Sequence, residues 1–266
     1  MTAGVQQLRV GALDIACKVE GPQDAPAVLL VHGILCDHRI WDALAALLVP
    51  RYRVVRYDLR GHGGSSAPQG PSTMRELADD AAGVLGALGI ERAHAIGTSL
   101  GGMIGQQLGA HHGDRLLTLT LANTAAQQGA PAAWEDRIAV ARSKGTAALA
   151  APTLERWFTP AFRERQSEQI ERLATMVAGT SVEGFAGCAA AVRDLAQLDL
   201  LPTIAVPTLV VVGSQDGATP PAQGEQIRAA IPGAQLATID AAHQAAAEQP
   251  QAFFAAWQDF VRQSRA

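Results

Sequence analysis

The stretch "AHAIGTSLGGM", Ala93–Met103, places a serine between two glycines directly behind a short apolar run. Its segment Gly97-Thr98-Ser99-Leu100-Gly101 fits G-x-S-x-G, the pattern of a sharp turn between a buried strand and a helix. A serine held in a strained backbone conformation leaves room beside it only for residues without a Cβ, which accounts for the glycines. The helix that follows aims free backbone N–H groups at any anion formed next to the serine. In a chain with 26 glycines such a string also arises by chance, so reading Ser99 as a nucleophile depends on partners elsewhere.

Working outward, short β-branched runs alternate with longer amphipathic segments. This pattern predicts an α/β fold with a mostly parallel sheet of eight strands and helices on both faces. Strands are predicted at Gln7–Val10, Ile15–Val19, Val28–Val31, Arg53–Tyr57, His94–Ile96, Leu116–Ala122, Thr208–Val212 and Gln235–Ile239, the first two joined as a hairpin. Helices are predicted at Trp41–Leu48, Met74–Leu88, Gly101–His111, Ala222–Ala230 and Gln251–Arg262. The alternation stops between 125 and 205, where helical spacing is broken by Pro131, Pro152, Pro160 and Pro202. We expect a core built from 1–124 and 206–266, with 125–205 inserted as a helical lid over the carboxyl ends of the strands.

A nucleophilic serine needs a base and an acid. VVVGSQD ends one late strand with Asp216, and ATIDAAHQ ends the next with His243. In the order serine, acid, histidine, His243 takes the Ser99 proton while Asp216 fixes its tautomer. Asp216 has an alternative reading as a cap for the helix after Thr219-Pro220-Pro221, and His243 one as a satisfied loop histidine. Asp240 is a rival acid, but its place three residues before His243 on one loop makes the side-chain approach harder. The anion formed on attack needs two donors. Leu100, after the serine, supplies one backbone N–H, and Ile34, in the loop after Val28–Val31, supplies the other, with Gly33 permitting the turn. His32 is expected to brace that loop, and Asp58, Arg60 and His62 of RYDLRGHGGS to form a structural network. Cys36 reads as a small buried residue.

Composition removes several other classes. The chain of 266 residues is 48% hydrophobic with net charge −4, and no lysine and arginine run makes a nucleic-acid footprint. No phosphate loop, dinucleotide fingerprint or metal-ligand spacing is present, so neither a cofactor nor a metal is expected. The first fourteen residues lack the features of a secretory signal, and no apolar run reaches the roughly 18 residues of a membrane span. With three widely spaced cysteines, a cytoplasmic protein without membrane partners is expected.

The HG of the first loop, RYDLRGHGGS, GTSLGG, GSQDGATPP and DAAHQAAAEQP together resemble the α/β-hydrolase superfamily. Within it the chain is similar to the 3-oxoadipate enol-lactonases, through GMIGQQLGAHH, LTLANTAAQQG, LERWFTPAF, EGFAGCAAAVRD and DGATPPAQG. It departs from those enzymes at His32-Gly33-Ile34-Leu35 and at Ala245-Ala246, both of which border the site. The resemblance implies an ester hydrolase that opens an enol-lactone in aromatic breakdown through an acyl-enzyme on Ser99. It also implies a cation for the substrate carboxylate, for which Arg39, Arg156 and Arg193 are candidates, and a pocket wall at Trp157 and Phe158. Two alternatives stay open: a general carboxylesterase or other lactonase, and a ligand-binding protein of the same fold without enzymatic activity.

Overall fold

The computed structural model describes residues 4–129 and 131–264. All eight predicted strands are present, in one sheet of order β1-β2-β4-β3-β5-β6-β7-β8. The hairpin β1 (Gln6–Val10) and β2 (Leu13–Glu20) is antiparallel, as is the pairing of β2 with β4 (Arg53–Tyr57). From β4 onward the sheet is parallel, through β3 (Ala27–Val31), β5 (Ala93–Thr98), β6 (Leu116–Ala122), β7 (Thr208–Gly213) and β8 (Gln235–Ile239). β3, β5 and β7 are buried along their whole length, which explains the apolar runs AVLLV and LVVVG of β3 and β7: a parallel strand covered on both faces has no solvent side to alternate toward.

From β3 the chain first pairs outward to β4, then crosses back to lay β5 on the other side of β3. The loops after β3 and β5 therefore leave the carboxyl edge in opposite directions and open a crevice between them, where sheets of this kind bind ligands. The sequence puts His32-Gly33-Ile34 in one of those loops and Ser99 in the other. Among the covering helices, α1 (Asp42–Leu48) packs on the C-terminal α11 (Pro250–Gln263), and α2 (Met74–Ala87) packs on α3 (Leu100–His111). Thr73 and Glu76 form a reciprocal capping box that starts α2. Two more helices, α9 (Pro221–Ala230) and the short α10 (Ala245–Glu248), follow β7 and β8.

Between β6 and β7 the described residues include the α-helices α4 (Pro131–Lys144), α5 (Ala150–Trp157), α6 (Pro160–Arg165), α7 (Ser167–Ala178) and α8 (Val182–Arg193). Entry and exit of this insertion are stitched together, with Gln128 N–H donating to Leu195 O (3.0 Å) and Gln197 N–H to Ala126 O (2.7 Å). Gly61 and Gly184 meet backbone to backbone, so that a Cβ on Gly184 would lie 2.2 Å from Gly61 O; this seats α8 on the loop after β4. Among the described residues no single helix is long and apolar enough to cross a membrane.

Candidate active site

Ser99, between β5 and α3, stands at φ 55° and ψ −118°, a left-handed conformation that a residue with a Cβ adopts only under constraint. The neighbouring backbone supplies the constraint. A Cβ on Gly97 would sit 2.1 Å from Gly101 O, and one on Gly101 would sit 2.0 Å from Val31 O. Ser99 N–H is held by Ala122 O (2.9 Å), and Ser99 O accepts from Thr124 Oγ1 (2.8 Å), so the turn is fastened to β6.

Ser99 Oγ lies 2.9 Å from His243 Nε2, and His243 Nδ1 lies 2.9 Å from Asp216 Oδ2. Asp216 also accepts the Ala218 and Thr219 N–H groups, the Thr219 hydroxyl and the Asn123 amide (3.0 Å). Burial opposes ionisation of this carboxyl, but the His243 imidazole and those donors outweigh it and hold the Asp216 pKa at about 2. A carboxylate fixed by so many donors keeps the proton of His243 on Nδ1, leaving Nε2 free to accept from Ser99. Asp240 takes no part: it is exposed and accepts from Ser214 and Gln215. The helix-cap reading of Asp216 is corrected: the N-cap of α9 is Pro220 and no side chain caps it, while the Asp216 carboxylate accepts from the turn before that helix and faces His243.

The loop after β3 is braced by two imidazoles. His32 Nε2 accepts the Leu59 N–H (2.9 Å) and His62 Nε2 accepts the Leu35 N–H (3.1 Å), while each Nδ1 faces a carbonyl, Gly33 O and Arg60 O. Both rings are therefore neutral, protonated on Nδ1. Burial lowers the pKa of each, and His32 beside it helps push His62 down to about 3. Between these clamps, Leu35 sits at φ 63° and Gly33 lies against Ser99, where a Cβ would be 3.2 Å from the serine Cβ. Among the described residues the N–H groups of Ile34 and Leu100 have no acceptor in the protein. Two unspent donors beside a serine hydroxyl are what an oxyanion requires.

Over Ser99 and His243 lies a cavity of about 270 Å³, walled by Trp134, Arg137, Arg156 and Trp157 of the helical insertion, with Gln127, Gln128 and Gln223 adding amides. Arg137 packs its guanidinium 4.4 Å from the Trp134 ring centroid and 5.7 Å from that of Phe185. Neither Arg137 nor Arg156 is in an ion pair among the described residues. Burial, with Arg156 adding repulsion, lowers the Arg137 pKa to about 10.

Two expected substrate contacts are corrected by this geometry. Arg39 is bound by Asp37, with Nη2 2.5 Å from Oδ2, and lies in an outer groove. Arg193 pairs with Asp194 and Glu135 away from the cavity. Both cations are already neutralised where they stand. Arg156 and Trp157 do line the cavity, whereas Phe158 is stacked on Phe162 in the packing behind it.

Residues 26–250 match the profile of the family described as alpha/beta hydrolase fold. The chain belongs to the α/β-hydrolase fold family. It is 34% identical over 251 residues to 3-oxoadipate enol-lactonase 1 of Acinetobacter baylyi, covering 93% of both chains. Among solved structures it resembles the enol-lactonase of Burkholderia xenovorans LB400 (TM-score 0.94, 36% identity, 97% of this chain and 100% of that one). It also resembles a hydrolase of Pseudomonas aeruginosa PA01 (TM-score 0.93, 40% identity, 97% and 98%). The chain is thus an ester-hydrolysing enzyme of the α/β-hydrolase family. Within that frame sequence reasoning missed Arg137, Trp134 and Asn123. Arg137 follows Trp134 by one helical turn in WEDR, a spacing that puts both on one face. Which face looks into the cavity depends on how α4 seats on α8, and no local pattern encodes that.

Proposed function

We propose that this enzyme opens a small lactone that carries a carboxylate, 3-oxoadipate enol-lactone foremost, through an acyl-enzyme on Ser99. The observation that carries the reading is that the half-buried Arg137 and the more exposed Arg156 line the cavity over Ser99 and are in no ion pair among the described residues. A guanidinium held in a partly dry pocket without a counter-ion is costly for the fold, and a substrate carboxylate relieves that cost. The cavity of about 270 Å³ suits a ligand of this size. The names of the relatives support the same substrate.

In the proposed reaction Ser99 Oγ bonds to the lactone carbonyl carbon as its proton passes to His243 Nε2, 2.9 Å away. The carbonyl oxygen becomes an oxyanion between the Ile34 and Leu100 N–H groups. Collapse breaks the acyl–oxygen bond; the proton on His243 goes to the enol oxygen, which stays tethered to the acyl group and relaxes to a ketone. Water, deprotonated by the same imidazole, then attacks the acyl carbon, releases the dicarboxylate and returns the proton to Ser99. Asp216 steadies the imidazolium in both halves. The helices of 125–205 act as the lid that keeps bulk water from the acyl-enzyme, and the three buried, free cysteines fit a reducing, cytoplasmic setting.

The test is the loss of enol-lactone ultraviolet absorbance with purified protein, run beside p-nitrophenyl acetate and the Ser99→Ala variant. Fast, Ser99-dependent loss that outpaces the simple ester is expected. Turnover of the simple ester alone discards the substrate, and full turnover by Ser99→Ala discards the nucleophile.

A further inference from the structure

Glu248, five residues past His243, is a buried carboxylate that forms no ion pair with any described cation. Its Oε2 accepts the N–H of Ala242 (3.1 Å) and that of Thr159 (3.4 Å), and its Oε1 accepts the Thr159 hydroxyl. On the other side of His243, Gln244 N–H donates to Trp157 O (3.0 Å). Both chain neighbours of His243 are therefore fastened to one short segment, 157–159, whose first residue lines the cavity over Ser99. Thr159 is itself fixed, because its Oγ1 accepts the Phe162 N–H (3.2 Å) and caps α6.

We propose that Glu248 is a positioning residue that fastens the cavity wall at 157–159 to the loop carrying His243, so that wall and base take up their working places together. The inference rests on reading His243 as the base of the reaction above. A carboxylate is an expensive choice for a buried site, and packing alone would be served better by an apolar residue of similar volume. What an apolar side chain lacks is the ability to accept from the catalytic loop and from the insertion at once. Removing the carboxylate leaves the Ala242 N–H unpaired and frees the segment holding Trp157, and a displacement of His243 by about 1 Å costs on the order of a hundredfold in rate.

The experiment measures, well below the unfolding midpoint, the rate at which a fluorophosphonate labels Ser99 and the kcat for p-nitrophenyl acetate. The proteins are the wild type, Glu248→Ala, Glu248→Gln, Thr159→Val, Thr159→Ser and the double variant Glu248→Ala/Thr159→Val. Labelling reads the serine and its base without reference to the natural substrate. Glu248→Ala is expected to slow both rates about ten- to a hundredfold and Thr159→Val about fivefold to tenfold, with the double variant no slower than Glu248→Ala. Glu248→Gln, whose amide oxygen still accepts from Ala242, and Thr159→Ser, which keeps the hydroxyl, should recover most of the rate. Wild-type rates in Glu248→Ala or in Thr159→Val overturn the proposal, as do losses that multiply in the double variant or conservative variants that fail to rescue. Should Glu248→Ala not fold, the Thr159 pair alone decides. A wild-type protein that is not labelled at Ser99 sinks instead the reading of the base.

Discussion

Replacing Arg137 by methionine should make the protein more stable and a poorer enzyme for anionic substrates. Burial and Arg156 lower the Arg137 pKa from 12.5 to about 10, although the guanidinium stays protonated at neutral pH. At roughly 1.4 kcal/mol per pKa unit, holding the charge there costs the fold about 3 kcal/mol. Against this stand the contacts with the rings of Trp134 and Phe185, worth about 1 kcal/mol. The net expectation for Arg137→Met is a gain of about 2 kcal/mol in the free energy of unfolding, read from urea denaturation at neutral pH. On the proposed reading the same variant loses a charge-assisted contact to the substrate carboxylate, and KM for the carboxylated lactone rises about a hundredfold. The kcat for p-nitrophenyl acetate stays within about twofold, because a neutral ester makes no such contact. Arg39→Ala and Arg193→Ala serve as controls and leave that KM unchanged, since both cations are committed to carboxylates outside the cavity. A variant that is destabilised by 1 kcal/mol or more, with KM for the lactone unmoved, would refute the reasoning.

Two further outcomes follow from the groups around the serine. Asp216→Asn should lower kcat on the order of ten-thousandfold with little change in KM, because an amide no longer keeps the His243 proton on Nδ1; steady-state kinetics on either ester checks it, and a loss below tenfold counts against Asp216 as the orienting acid. His62 gives a pH dependence of stability: its imidazole titrates near 6.5 in the unfolded chain and at about 3 when folded. The stability this supplies is whole above pH 6.5 and is lost as pH falls toward 3, at about 1.4 kcal/mol per unit. Urea titrations between about pH 6 and pH 4 should show a slope shallower by about one proton in His62→Gln than in the wild type, and equal slopes contradict the neutral clamp.

The sheet was legible because its physics is local. Buried parallel strands such as AVLLV and TLVVVG need unbroken apolar runs, and the turn at Ser99 needs glycines wherever a Cβ would strike the backbone. The order of Asp216 and His243 was legible for the same reason, since each lies in the loop after a strand that can be recognised by itself. The cavity wall was not. Of the arginines expected to meet a substrate, Arg39 stands two residues from Asp37 and Arg193 one residue from Asp194, and each is neutralised by that neighbour. Arg137 is in no ion pair among the described residues although Glu135 and Asp136 precede it directly; neither acid lines the cavity, and Glu135 stands 3.9 Å from Arg193 instead. Charge adjacency along the chain therefore coincides with pairing at Arg39 and Arg193 and not at Arg137, and the seating of α4 makes the difference.

The arrangement separates charge from position. The braces on either side of the candidate oxyanion donor Ile34 are neutral: two imidazoles kept from a second proton by burial accept the Leu35 and Leu59 N–H groups, and among the described residues the Ile34 N–H has no acceptor. A protonated His62 would present a donor to the Leu35 N–H, and the loop would have to move. Electrostatic stabilisation of a developing anion depends on donors that do not reorganise as the charge appears, so fixing them with neutral acceptors is the arrangement that serves it. The cations stand instead on the insertion, at Arg137 and Arg156, which line the cavity that the proposed substrate would fill. Selectivity for an anion can then change with the helices of 125–205 while the donors at Ile34 and Leu100 stay as they are, and this is why variants of the two groups are expected to move KM and kcat separately.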